Sequence, residues 1–566
     1  MPKRAIHHTF FAAISASLFA VCYFGCAASS GKGGPGGTGG GNDASISFDG
    51  GGEAGIHFDG SAGEGGLGTA DPTTCEEAAS GHTYLGCDFW PTVVDNVVDP
   101  IFDYAVVVGN TGTGDAVVTI TGGALTSTST TTIHAGQVSE IYLPWVTALK
   151  GAPGICGSDP LASSVLAKKG AYHLTSSVPV VVYQFSAVEY QAKGGPPGKD
   201  WSGYPSATCQ LAGEGPYSYT NDASLLLPST ALTGNYRIAG VDAWTGLPDP
   251  STGTTPPPVP PYFAVTGTQD GTTVTVQLSA NGSVAGGGGI ATVSGGGSLT
   301  FTLNAGDVAE VIGAGNANTD FSGSLLKASA PVQVLSGHSC RYMPAGRQAC
   351  DHVEETVMPV ETLGKHYFVT PPDHPGGAGT TSHDVRLYGN FDGTNLTYPG
   401  SRPSGAPSTL SAGQVADLGV VTSPFEIVGD HEFMVGSFMI GGGDPATDPN
   451  PTQSGDPSMS MMTTVEQYRT SYVFIAPTDY DENYVDIVQP SGATVTLDGK
   501  TVGGTPVAIS SGYALARVPL THIGTGAHTL TATQPVGIQV LGYGSYTSYQ
   551  FPGGLNLGVI APVPIH

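Results

Sequence analysis

The residues best equipped for chemistry lie in one short run, SGHSCRYMPAGRQACDH at residues 336–352. It holds His338, Cys340, Cys350, Asp351 and His352, residue types that ligate metals, attack as nucleophiles or move protons. Three chemistries fit: a metal centre, a reactive thiol beside a histidine, or a loop closed by a disulfide. Structural zinc usually takes close pairs such as C-x2-C or H-x3-H, whereas Cys340 and Cys350 stand ten residues apart. Pro344, Ala345 and Gly346 between them favour a turn that brings the ends together. The spacing favours a disulfide-closed loop, with metal binding and free thiols as alternatives. His352 then reads as a hydrogen-bonded structural residue.

Other catalytic signals are thin. Ser339 in GHSCR lacks the second glycine of a nucleophile elbow, and neither H-E-x-x-H nor a phosphate-binding P-loop occurs. DPATDPNPTQSGDP (444–457) and TDYDENYVD (478–486) are carboxylate-rich but do not follow the EF-hand alternation. They read as solvated acidic loops, with weak calcium binding as the sharper alternative. No catalytic residue, metal ligand or cofactor is assigned.

The elements that must position these residues are strands. In 566 residues there are 85 Gly and 43 Pro and only 11% charged residues, a mix that suits short strands and turns and disfavours helices. YAVVVGN (104–110), AVVTITG (116–122), TTVTVQL (272–278), SLTFTL (298–303) and ATVTL (493–497) are β-branched and often alternate. A net charge of −27 with 18 Lys plus Arg repels phosphate backbones, so nucleic acid is excluded as a partner.

The chain's start reads as an export signal. Lys3 and Arg4 precede the apolar run TFFAAISASLFAVCYFG, which ends at Cys26. YFGCAASS resembles a bacterial lipobox, which makes Cys26 the acylated residue and the outer membrane or cell surface the destination, with a secreted protein as the alternative. Residues 26–74 are Gly-rich and read as a flexible tether.

Beyond the tether the chain repeats. AYHLTSSVPVVVYQF (171–185), GSLLKASAPVQVLSG (323–337), PFEIVGDHEFMVGSF (424–438) and GAHTLTATQPVGIQVLGYGS (526–545) each suggest a strand, a turn and an apolar strand. Each follows a second phrase: HAGQVSEIYLP (134–144), NAGDVAEVIG (304–313), SAGQVADLGV (411–420) and SSGYALARVPL (510–520). Glu140, Glu310 and Asp417 align, and Arg517 replaces them in the last copy. The expectation is an all-β chain of tandem β-sandwich-like modules at 75–212, 213–345, 346–450 and 451–566, after a signal peptide at 1–25 and the tether.

Six cysteines follow the signal: Cys75, Cys87, Cys156, Cys209, Cys340 and Cys350. An even number in an exported chain reads as disulfides, and sequence neighbours suggest Cys75–Cys87, Cys156–Cys209 and Cys340–Cys350. Trp90, Trp145, Trp201 and Trp244 fill cores or meet sugars.

SGHSCRYMPAGRQACDHVEETVMPVETLGKHYFV (336–369) resembles the signature of the IgGFc-binding protein N-terminal domain family, as found in envelope proteins of gliding myxobacteria. Gly337, Cys340, the triplet Cys350-Asp351-His352, Pro359-Val360 and Gly364 fall on its pattern. GDPSMSMMTTVEQYRTSYVFIAP (455–477) and NYVDIVQPSGATVTLDGKTV (483–502) resemble later parts of the same domain. The resemblance implies tandem all-β modules, a recognition role, and a disulfide between the paired cysteines; Gly337, Asp351 and His352 become structural motif residues. It does not carry antibody-Fc binding to this chain. The expected function is a non-catalytic surface recognition or adhesion lipoprotein that binds an extracellular protein or glycan through module loops. A hydrolase, with a free thiol or metal at the Cys/His/Asp cluster, and a ligand-free coat component are the alternatives.

Overall fold

A computed structural model describes residues 71–211, 215–246, 255–377, 382–443, 454–520 and 526–562. The expected signal peptide, Cys26, most of the expected tether and most of the first acidic run lie outside them. The described chain is all-β, with 46% strand and 6% helix, and its longest helix is Cys75–Gly81. No helix among the described residues is long and apolar enough to cross a membrane.

One strand succession recurs four times. In the second unit one sheet runs Ser298–Leu303, Thr272–Gln277, Leu325–Ala328, Asn235–Arg237. The other runs Val308–Ile312, Pro261–Gly267, Val332–Tyr342, Cys350–Thr356. Neighbouring strands are antiparallel. The third unit repeats both orders, with His366–Val369 closing its first sheet and Met459–Met461 its second. The inward residues of each pair of sheets make a core, such as Phe263, Val265, Val274, Val276, Val311 and Leu326 in the second unit. Each unit is therefore a two-layer sandwich.

The first repeated phrase is the element that crosses between the layers. In the middle units it is two strands separated by a break, Leu325–Ala328 then Val332–Tyr342, and Phe425–Gly429 then Phe433–Phe438. The expected turn is absent in the outer units, where Tyr172–Ser186 and Ala527–Gly544 are single long strands. Residues 172–176 pair in one layer and residues 180–185 in the other. The backbone stays extended because each half is paired in its own layer, and the β-branched Val178 and Thr533 favour the extended form between them. Pro179, Pro331 and Pro535 all stand between the two paired stretches, where no ladder hydrogen bond needs their missing N–H.

The second phrase is a strand launched by a left-handed glycine, at the sheet edge in the first and third units and flanked by the short strands Val165–Ala167 and Val507–Ala508 in the second and fourth. Gly136, Gly306, Gly413 and Gly512 have φ of 68°, 82°, 73° and 78°, values that would strain any side chain. The aligned charges explain the last copy's change of sign. Asp417 lies opposite Arg386 with 3.4 Å between charged atoms, and Arg517 lies opposite Asp486 at 3.7 Å. The cross-strand pair is kept with its partners exchanged.

The last strand of each unit faces the molecular centre. Asp222–Leu225, Cys350–Thr356, Met459–Met461 and Thr547–Pro552 pack round one axis, the first against the second and the fourth. Ala223, Leu225, Val353, Met459, Met461, Tyr549 and Phe551 share a single central core, to which the first unit adds Val181, Tyr183 and Phe185. The fourth unit thereby meets the first, and the units form a closed ring. After each closing strand the chain enters a short connector, with 3-10 turns at Ser229–Ala231, Val360–Thr362 and Val465–Gln467.

Candidate functional site

Val332–Tyr342 and Cys350–Thr356 form an antiparallel pair in which Gly337 faces Glu354, His338 faces Val353 and Tyr342 faces Cys350, with an irregularity between His338 and Arg341. The Cys340–Cys350 disulfide clasps this pair at its loop end, with Cα atoms 5.1 Å apart. Cys75–Cys87 and Cys156–Cys209 are bonded as well. The thiols at 340 and 350 are therefore spent, and among the described residues no group of three or more His, Cys, Asp and Glu side chains is placed to hold a metal ion.

The polar residues beside the clasp are inaccessible. Asp351, His352 and Glu354 have no exposed surface. His352 contacts the Glu354 carboxylate at 3.1 Å and stacks near Tyr262. Glu354 Oε1 accepts from Gln184 at 2.9 Å and from Ser224 at 3.2 Å, both on the first unit. Asp222 on the first closing strand accepts the N–H groups of Glu354 and Met459. Asp351 accepts from Thr547 on the fourth unit at 3.0 Å. Burial, then the charges of Asp456 and Asp222, pushes the Asp351 carboxyl well above its usual range. Burial drives His338 down to about 3. It is neutral, so Nδ1 accepts from the Cys340 N–H and Nε2 donates to the Val259 carbonyl. These buried bonds tie the triplet and its strand to the first, third and fourth units like a knot.

Gly337 shows how tight the knot is. A Cβ there would lie 2.0 Å from the Val353 oxygen and 2.5 Å from the Tyr262 hydroxyl. Gly337→Ala should cost about 2–3 kcal/mol, read as a lower denaturant midpoint at unchanged slope. An unchanged midpoint would remove the packing role. The second half of the signature, Pro359 to Gly364, is a connector turn, and a Cβ on Gly364 would strike Thr464 at 2.1 Å.

What the knot positions is an end of the ring. The described segments 187–211 and 215–221, 343–349, 439–443 and 454–458, and 545–546 precede the four closing strands, and they bond to one another. Gly441 N–H donates to the Met343 carbonyl and Ala349 N–H to Asp456. Ser454 bridges Ser545, and His352 N–H donates to Thr220. The connectors gather at the opposite end, the base. There Gln467 donates to the Thr362 and Gly558 carbonyls, His82 contacts the Thr230 carbonyl and Ile560 N–H donates to the Glu361 carbonyl. Asp71, the first described residue, pairs with Arg469 at the base.

The long first-unit loop dominates the loop end. The Cys156–Cys209 bond pins it. Lys199 sits between Asp103 at 2.6 Å and Glu189 at 2.9 Å and over the Trp201 ring at 4.1 Å. Tyr190 donates to Asp481 of the fourth unit at 2.5 Å and stacks on Tyr217. Of the four tryptophans, Trp90 and Trp244 are buried against His173 and Tyr342. Trp145 and Trp201 are half-buried. Sequence reasoning missed the buried acids Asp222, Glu354 and Glu355. A signal existed in VEET (353–356), where two charges interrupt a strand directly after the triplet.

A family model described as IgGFc binding protein matches residues 222–542. The human protein named IgGFc-binding protein (Homo sapiens) is 29% identical over 311 residues, which is 53% of this chain and 5% of the human protein. The chain thus spans a small part of that relative. Among solved structures, an anti-sigma factor domain-containing protein from Clostridium clariflavum is 12% identical and covers 58% of this chain and 83% of that one, at a TM-score of 0.10. A GH78 family rhamnosidase of Bacillus sp. GL1 is 8% identical and covers 83% and 55%, at 0.11. Neither score supports a structural comparison.

Proposed function

We propose, from the premise that the chain belongs to the IgGFc-binding protein family, that it is a non-catalytic surface recognition protein. It engages an extracellular protein or glycan through the loop end of the ring. The observation that carries this reading is polarity of the fold: four loops converge at one end, while Asp71 and the connectors lie at the other. A chain held through its N-terminal segment would present the loops outward. Loops on a rigid scaffold are the usual place for recognition, and the disulfide and Lys199 ion pairs pre-organise the largest one. Acylation at Cys26 and tethering to an outer membrane by residues 26–74 complete the proposal.

Two measurements test it. Cells displaying the intact chain should attach to protein- or glycan-coated surfaces, and replacing residues 193–211 by a Gly-Ser linker should abolish attachment. The base substitution Asp71→Ala should leave it intact. Attachment that ignores the loop replacement would sink the loop-end assignment. Cys26→Ser should release the chain from membranes and remove fatty-acid label; a variant that keeps the label rules out that anchor.

A further inference from the structure

A cavity of about 20 Å³ lies near the base, where the third unit meets the central core. Half of the chain's 8 methionines line it: Met358, Met434, Met461 and Met462. They arrive from different elements. Met434 sits on the third unit's crossing strand, Met461 and Met462 at the end of its closing strand, and Met358 in the connector after the second. Met434 and Met461 are 3% exposed and Met358 and Met462 8%, so all four are buried. Threonines, Tyr367, Gln467 and aliphatic side chains form the rest of the wall, and two of these residues hold a buried oxygen without a partner, Thr463 Oγ1 and Gln467 Oε1. The Gln467 amide is fixed, because its Nε2 donates to the Thr362 and Gly558 carbonyls.

A space of this size holds one water or one ion. The wall offers thioethers, threonine and tyrosine hydroxyls and an amide oxygen, and no carboxylate, imidazole or thiol. Calcium and magnesium require carboxylates, and zinc takes thiolate, imidazole or carboxylate. Thioethers are soft donors that select closed-shell monovalent metals, and a single charge is the least costly to bring into a neutral wall. Methionine also serves as a plain gap-filler, but gap-filling does not account for a cavity with two unpartnered oxygens.

We propose that this cavity binds one soft monovalent metal ion, Cu(I) or Ag(I), through Met358, Met434, Met461 and Met462. The proposal is independent of the loop-end reading. Silver is the redox-silent probe. The full chain, with free thiols first alkylated by iodoacetamide, would be titrated with Ag(I) and followed by native mass spectrometry and thermal melting. One equivalent should bind and raise the melting temperature. Met434→Leu/Met461→Leu should weaken that binding at least tenfold, while Met439→Leu, outside the cavity, should not. If the double variant does not fold, Met462→Leu replaces it with the same expectation. Equal silver retention by folded cavity variants, or a lone water at the site in a silver-soaked crystal, would overturn the proposal.

Discussion

The chain should melt at a higher temperature at pH 5 than at pH 8. The ring is held together by carboxyl groups taken out of water. Asp95, between the first and second units, is pushed up to about 7 by burial, and Glu310, whose carboxylate accepts the Asp95 N–H, rises well above its usual range. On the axis, burial raises Asp456 to about 7 and lifts Asp222, Asp351 and Glu355 well above normal. Asp486 in the fourth unit rises to about 8. These groups hold protons in the folded state at pH values where the unfolded chain has released them. Folding therefore takes up protons between about pH 4 and the raised values, and stability falls as pH climbs through that window. Two buried histidines oppose this. His338 and His383, both lowered to about 3 by burial, gain stability as pH rises from 3 to about 6.5. Lys150, lowered to about 7 by burial, adds stability with rising pH only from about 7 up to its ordinary value near 10.5. The carboxyls outnumber the histidines, so the fall prevails. A net uptake of two protons alone would lower stability by about 5–6 kcal/mol between pH 5 and pH 7. Asp351→Asn/Asp456→Asn should flatten the profile. A melting temperature that rises over the same range would contradict the assignment of these acids as proton holders.

The two repeated phrases show how far the sequence carries the fold. Their β-branched alternation marks strands, and the left-handed glycines and misplaced prolines mark where strands begin and cross, all local effects of backbone geometry. The aligned acids at 140, 310 and 417 mark the same position along that strand. Ring closure leaves no comparable trace. Leu225 and Phe551 share a core across more than three hundred residues, and no periodicity encodes a contact of that separation. The outer crossing strands depart from the expected turn for a related reason: a Pro preceded by polar residues is a turn signal in isolation, and pairing of each half in its own layer helps to keep them extended. At the clasp, residue types suggested chemistry. Burial, which residue type does not encode, turns His352 and Asp351 into structural groups.

A fragment limited to residues 222–542, the stretch that matches the family model, should fail to give a cooperative, monomeric fold. It begins with the first closing strand, Asp222–Leu225, whose partner residues 183–186 belong to the deleted unit. It also stops before Thr547–Pro552, the strand that completes the fourth unit. The loss falls on the central core. Tyr183 and Phe551 pack with ring centroids 4.5 Å apart, and Phe185 meets Tyr549 at 5.7 Å. Removing both sides of these contacts leaves Val353, Met459, Val485 and Ile538 facing water in their place. Each large apolar side chain so exposed costs about 1.5–3 kcal/mol, and several together exceed the stability of an ordinary domain. An exposed apolar face of that kind also drives association. The fragment should therefore elute as aggregate and lack a sharp thermal transition, whereas residues 71–566 should elute as a monomer and melt cooperatively. Extending the fragment only to residue 566 restores the last closing strand but leaves it without the first unit, so it should remain defective. A fragment of residues 222–542 that is monomeric and melts sharply would show that the three-unit stretch closes its own core and that the first unit is an appendage to it.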